Sequence, residues 1–204
     1  MKKKFIILMF LFAIFLIITV TTYASSVSAS ISNAFFRLHI IANSDSPKDQ
    51  ELKLKVRDAI LEYMNSLECG NSKSDVISLV ETHLSDFEEI SKKVITDNGF
   101  NYSVAIEIGN FYFPTKYYGN ISLPAGFYNA LKIEIGDSSG QNWWCSLFPP
   151  LCFVDISSGI IDTSGEEYLK ESLDTEEFTI ISSNSGDIKL KFKLIEFLNE
   201  KNIL

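Results

Sequence analysis

The sequence predicts a single exported α+β domain, built on a mixed or antiparallel sheet. Three observations predict it. An apolar run stands at the N-terminus behind a cluster of lysines. Segments with a period of two and segments with a period near 3.6 follow one another after it. An aromatic, cysteine-containing block then closes the clearly patterned part of the chain.

Lys2, Lys3 and Lys4 precede sixteen residues, Phe5 to Val20, interrupted only by Thr19. Small and polar residues follow, from Thr21 to Ser30. A basic start, an apolar middle and a small-residue end read as a secretory signal. Thr22-x-Ala24 and Val27-x-Ala29 both satisfy the small-residue rule for cleavage. Sixteen helical residues span roughly 24 Å, short of a ~30 Å hydrocarbon core. Thr21 to Ala24 would extend the span, so residues 1–30 are either a signal peptide or an N-terminal anchor. Either way the lysines stay inside and residues 31–204 are exported.

Removing residues 1–30 takes away three lysines and no acid, so the formal charge moves from −8 to −11. An acidic exported domain is a poor partner for nucleic acid or for an anionic membrane surface.

Phe35 to Ala42 is β-rich and mostly apolar, which predicts a buried strand. Asn43-Ser44-Asp45-Ser46-Pro47 ends it. Ser46 suits an N-cap, Pro47 the first helical position, and Asp49 stands three after Ser46 as in a capping box. The helix that follows places Leu52, Val56, Ala59, Ile60, Tyr63 and Leu67 on one stripe. Cys69-Gly70-Asn71-Ser72 breaks it. A second long helix is predicted from about Lys73 to Asp97, with Ile77, Val80, Leu84, Phe87, Ile90 and Val94 at helical spacing and Asn98-Gly99 as its stop. The helices of the domain are expected on one face of the sheet only.

Tyr102 to Ile108 and Leu131 to Ile135 alternate as half-buried strands. Between them lies a turn-rich loop with seven Phe or Tyr residues from 111 to 128, part of which has the makings of further strands. Residues 156–186 are acidic and serine-rich, expected as surface loops with some helix. Residues 188–194 alternate as a strand, with a short helix expected after them.

The block from Gln141 to Asp155 holds both tryptophans of the chain, two of its three cysteines and two of its five prolines. Cys145 and Cys152 are seven positions apart. In an oxidising compartment they are candidates for a disulfide, and buried free thiols are the alternative. Cys69 is left over. No metal-ligand spacing occurs, because CxxC and HxxxH are absent and His39 and His83 are far apart in sequence.

A nucleophilic triad needs a histidine base beside a Ser or Cys and an orienting acid. No Gly-x-Ser-x-Gly elbow occurs. His83 sits among apolar helix positions and reads as a packed residue. His39, in the first strand near Asp45, is the better candidate base. Gly136 to Gly140 matches neither phosphate-loop nor dinucleotide spacing. The aromatic supply suits either a core or an interface.

Three blocks carry a family resemblance. They are Phe36-Arg37-Leu38-His39-Ile40-Ile41-Ala42-Asn43-Ser44-Asp45-Ser46-Pro47-x-Asp49-Gln50 running on to Arg57-Asp58; Phe113-Pro114-Thr115-Lys116-x-Tyr118-Gly119 with Leu123-Pro124-Ala125-Gly126-x-Tyr128; and Gly140-Gln141-Asn142-Trp143-Trp144-Cys145 through Phe148-Pro149-Pro150-Leu151-Cys152-Phe153-Val154-Asp155. The chain resembles the stage II sporulation protein R family over residues 35–155, with a weaker match over 156–204. The resemblance implies an intercellular signalling protein of endospore formation. Such a protein is exported from the forespore into the space facing the mother cell. There it activates a membrane-embedded aspartic protease that processes pro-sigma-E. It implies a ligand and not an enzyme. No cofactor, metal or nucleic acid is expected, and membrane contact is expected only through an uncleaved N-terminal segment. Its matching blocks nominate Asn43, Asp45, Arg57, Lys116, Tyr118, Trp143 and Trp144 as partner-binding candidates. The loop after the first strand and the Trp-Trp segment are expected on one face. The alternative is an extracytoplasmic cell-wall hydrolase or cell-wall binding module using His39 with Asp45.

Overall fold

A computed structural model describes residues 2–118, 121–152 and 163–182. Its elements are α1 (Lys2–Ala34), β1 (Phe36–Ile41), α2 (Pro47–Ser66), α3 (Lys73–Thr82), α4 (Leu84–Asp97), β2 (Val104–Phe113), β3 (Lys116–Tyr118), β4 (Ile121–Leu123), β5 (Gly126–Ile135), β6 (Asn142–Phe148), α5 (Thr163–Ser172) and α6 (Thr175–Ser182). The class is α+β with a mixed sheet in the order β2-β5-β1-β6. β1 runs parallel to β5 and antiparallel to β6, and β2 runs antiparallel to β5. The expected strand over 188–194, the helix after it and residues 156–162 lie outside the described residues.

The local signals act as read. Ser46 is the N-cap of α2, accepting the Asp49 amide at 3.2 Å, and Pro47 opens the helix. Asp97 is the last residue of α4, and Gly99 takes φ +80° just after it, a backbone region that favours glycine. The second long helix departs from expectation, because it is divided at His83 into α3 and α4. The Asp86 amide bonds back to the His83 carbonyl at 3.0 Å, tightening the turn. The His83 ring is held there by Asp86 Oδ2 at 2.7 Å and the Tyr63 hydroxyl at 2.9 Å. A side chain tethered across two helices thus interrupts a pattern that the apolar periodicity carries straight through.

The sheet has two covered faces, which corrects the expectation of helices on one face. Strand alternation sends Leu38, Ile40, Leu131, Ile133 and Leu147 to the face packed by Leu52, Val56 and Ile60 of α2, with Val80 and Phe87 from α3 and α4. Phe113, Tyr128 and Ala130 point the other way. There they meet Ile31 of α1, the β3–β4 hairpin, and Leu169, Leu173 and Ile181 of α5 and α6. The aromatic 111–128 segment is therefore mostly strand. Its two ends extend β2 and β5, paired from Phe111↔Tyr128 to Phe113↔Gly126.

The β5–β6 turn is pinned to the loop after β1. The Gly140 amide donates to the Ala42 carbonyl at 3.0 Å. A Cβ on Gly140 would lie 2.3 Å from the Ser44 carbonyl oxygen, which is backbone and cannot step aside. Gly140→Ala is expected to lower stability by about 1–3 kcal/mol, the usual range for overpacking. Urea unfolding should show a lower midpoint at unchanged m; an unchanged midpoint would mean that the turn lifts away freely.

Candidate interaction surface

The first resemblance block builds a polar knot at one end of the sheet. Asp49 is 4% exposed, yet both its oxygens are used. Oδ2 accepts from Asn43 Nδ2 at 3.0 Å and Ser44 Oγ at 2.5 Å, and Oδ1 accepts from the Tyr102 hydroxyl at 3.1 Å. Burial pushes this carboxyl up, but the bonds from Asn43, Ser44, Tyr102 and Ser46 outweigh it and hold the group below the ordinary Asp value. Asn43 Oδ1 accepts the Asp137 amide at 2.9 Å, and Asp45 Oδ1 accepts the Gln141 amide at 2.8 Å. Lys53, 5% exposed, donates to Gln50 Oε1 at 2.6 Å and to the Gln141 carbonyl at 2.9 Å. Asn43 is thus wired into the turn, while Asp45 is exposed above it.

Trp143 extends this knot along β6 on the α2 side. Arg57 lies over its ring, 4.3 Å from guanidinium carbon to centroid, and bonds the exposed Asp58 through Nε at 2.7 Å. Such a stack is worth about 0.5–1 kcal/mol near a surface. Trp143 is half-buried and its Nε1 has no acceptor. Its chain neighbours Gln141 and Asn142 are exposed, as is Asp45, which accepts the Gln141 amide. A rigid, half-buried aromatic held under a guanidinium has the form of an interface anchor, although its Nε1 is itself buried.

Trp144 is its neighbour in sequence and lies on the opposite face, because successive strand residues alternate. It stacks on His39 with centroids 3.6 Å apart and tilts against Phe113 at 4.6 Å. The two tryptophans therefore do not share a face, which corrects that expectation. His39 is 7% exposed and its Nε2 meets Asn142 Oδ1 at 2.7 Å, while Nδ1 is buried with no partner. Burial drives its pKa down to about 4; the Asn142 bond opposes this, and the charges of Lys132 and Arg37 add to it. His39 is accordingly neutral at pH 7. It bonds Asn142, and Asp45 bonds the Gln141 amide, so histidine and acid are not paired with one another. His83 bonds Tyr63 and Asp86 and not a serine or cysteine. Among the described residues no group of three or more His, Cys, Asp or Glu could hold a metal ion.

Tyr118 and Lys116 stand on the Trp144 side, around a residue that the sequence reading did not single out. Arg37 is 0% exposed. Its Nη2 donates to the Tyr118 hydroxyl at 2.6 Å and its Nε to the Cys145 carbonyl at 3.4 Å, and Nη1 has no partner. The guanidinium lies 4.1 Å from the Phe113 centroid and 4.8 Å from that of Tyr128. The one signal in the sequence was a lone charge within an otherwise apolar central strand. Tyr118 also donates to the Trp144 carbonyl at 3.3 Å, closing part of the β6 edge. Lys116 is half-buried; burial and the charge of Arg37 lower its pKa. Cys145 and Cys152 are joined with Cα atoms 5.1 Å apart, fixing the segment after β6, and Cys69 is free and exposed.

The family model of stage II sporulation protein R matches residues 32–158. The chain belongs to the stage II sporulation protein R family. It is 39% identical over 147 residues to stage II sporulation protein R of Bacillus subtilis (strain 168), an alignment covering 72% of this chain. The chain spans 62% of that relative's length. No solved structure matches. The family span begins in the last turn of α1 and takes in the whole sheet, the polar knot and the disulfide. It therefore contains every partner-binding candidate named from the sequence.

Proposed function

We propose that this chain is an exported signalling protein of endospore formation. It acts from the space between forespore and mother-cell membranes on a membrane-embedded aspartic protease, which then processes pro-sigma-E. It acts as a ligand and not as an enzyme. Membership of the stage II sporulation protein R family carries this reading. The apolar N-terminal helix supports export, and the Trp143–Arg57 patch with Asp45 supplies a preformed surface for docking. A ligand of this kind works by binding the active arrangement of its target more tightly than the inactive one. The cell-wall hydrolase reading gains nothing from the geometry, since His39 pairs with Asn142.

The test is pro-sigma-E cleavage in a non-sporulating host that makes the protease and its substrate, with and without this chain. Cleavage should require the chain. Trp143→Ala should reduce it about 30-fold, as expected for loss of an anchor worth about 2 kcal/mol, with exported protein level and thermal unfolding measured alongside. Full cleavage by a folded Trp143→Ala variant would remove the patch from the proposal. No cleavage with the unaltered, folded and exported chain would remove the activator role.

A further inference from the structure

We propose that α1 is retained as a membrane anchor, and that it stands the domain on the bilayer with the Asp45–Asn142 end of the sheet pointing away. This rests on the helix and the sheet register, and not on the function proposed above. α1 runs unbroken over 33 residues, about 50 Å, and holds no glycine or proline between Lys2 and Ala34. Its two halves have different surroundings. Phe5 to Val20 expose their apolar side chains, with Phe5 at 64% and Phe15 at 63%. From Phe5 to Tyr23 the helix rises about 28 Å, close to the ~30 Å hydrocarbon thickness, with lysines at one end and an exposed tyrosine at the other. The hydroxyls of Thr19, Thr21 and Thr22 bond back to carbonyls of the preceding turn at 2.8–2.9 Å, so none is left unpaired in lipid.

The second half of α1 belongs to the domain. Ile31 is 1% exposed and packs with Val27 and Ala34 into the second core. A Cβ on Gly126 would come within 3.4 Å of Ser32 Oγ and 3.5 Å of Ser28 Oγ, so the small Ser28 and Ser32 side chains of the helix pack directly on the bare strand backbone there. Lys73 donates to the Asn33 carbonyl at 2.8 Å, and the Tyr23 hydroxyl bonds Glu176 of α6. Both small-residue cleavage motifs lie within this helix. A processing protease must draw its peptide into an extended form, and here that means unwinding a helix with no breaker. Cleavage after Ala29 would also strip Val27 and Ser28 from the packed interface.

The register then sets the orientation. Gly126 and Phe113 pair at the end of the sheet that touches α1. Ile41 pairs Asn142 and Glu134 at the other end. The ten residues of β5 separate its two ends by about 30 Å. Outside α1, the exposed large apolar side chains among the described residues are Tyr117 at 55% and Phe127 at 61%. Phe127, next to Gly126, stands at the α1 end, where interfacial aromatics belong.

Two measurements on the full chain test this. The first is the mass of the chain from washed membranes of producing cells. It should retain Lys2 to Lys4, and a chain beginning at Ser25 or Ser30 would overturn the anchor. The second is fluorescence in phosphatidylcholine vesicles containing brominated lipid. Emission from Trp143 and Trp144 should survive, while the emission added by Phe127→Trp should be lost. Phe127 is exposed, so this substitution leaves the cores untouched. Quenching of the native pair, or an unquenched Phe127→Trp, would overturn the orientation.

Discussion

Replacing Arg37 with alanine should cost about 3–5 kcal/mol and leave little folded protein, measured by urea unfolding or by the yield of folded chain. The side chain is fully enclosed, and its guanidinium fills the space between Phe113 and Tyr128. Alanine would open a cavity in the second core and strip the Tyr118 hydroxyl and the Cys145 carbonyl of a donor. Arg37→Met should behave differently. No carboxylate bonds this guanidinium among the described residues, and its Nη1 has no partner. A buried charge without a counter-ion carries a desolvation cost that two aromatic faces only partly offset. Methionine keeps the apolar stem and discards the charge, so its loss should be within about 1 kcal/mol, and a gain is within reach. An alanine variant as stable as the parent would mean that the guanidinium holds nothing together.

Acid should weaken the fold in a window set by His39. Its pKa falls from 6.5 to about 4 on folding. The unfolded chain therefore binds a proton between those values and the folded one does not. The stability linked to His39 is fully present above pH 6.5 and is lost as pH falls to about 4. A shift of this size is worth about 3 kcal/mol. Asp49, held below its ordinary value, adds a separate loss at lower pH, as that carboxyl is protonated and its bonds to Asn43 and Ser44 are weakened. His39→Phe keeps a ring against Trp144 and removes the titrating group. Unfolding free energies measured from pH 7 to 4 should fall steeply for the parent and nearly flat for the variant. Equal slopes would show that His39 does not drive the loss.

Some of this was legible from the residues. Ser46, Pro47 and Asp49 act within one turn of backbone, so their pattern reports directly on the start of α2. Gly99 marks a helix stop for the same reason. The alternation of Tyr102 to Ile108 and Leu131 to Ile135 marked two strands, because a period of two is a property of each strand alone. The candidate surface was legible only as a set of names. Trp143 and Trp144 read as one aromatic unit until β6 is known to be a strand, and then adjacency puts them on opposite faces. Asn43 and Asp49 read as turn and capping residues, while Tyr102, which completes the Asp49 site, lies 53 positions further on.

Sequence by itself determined the apolar N-terminal segment, the start of α2 and the stop of α4, the α+β class and the family blocks. These depend on composition, on single-turn hydrogen bonds and on the period of one element. Tertiary structure alone decided which strands pair and which faces are covered. It also placed Arg37 among rings, divided the long helix at His83 and carried α1 into the core. Each of these depends on partners brought together from distant parts of the chain, and nothing in the local backbone encodes which partner will arrive.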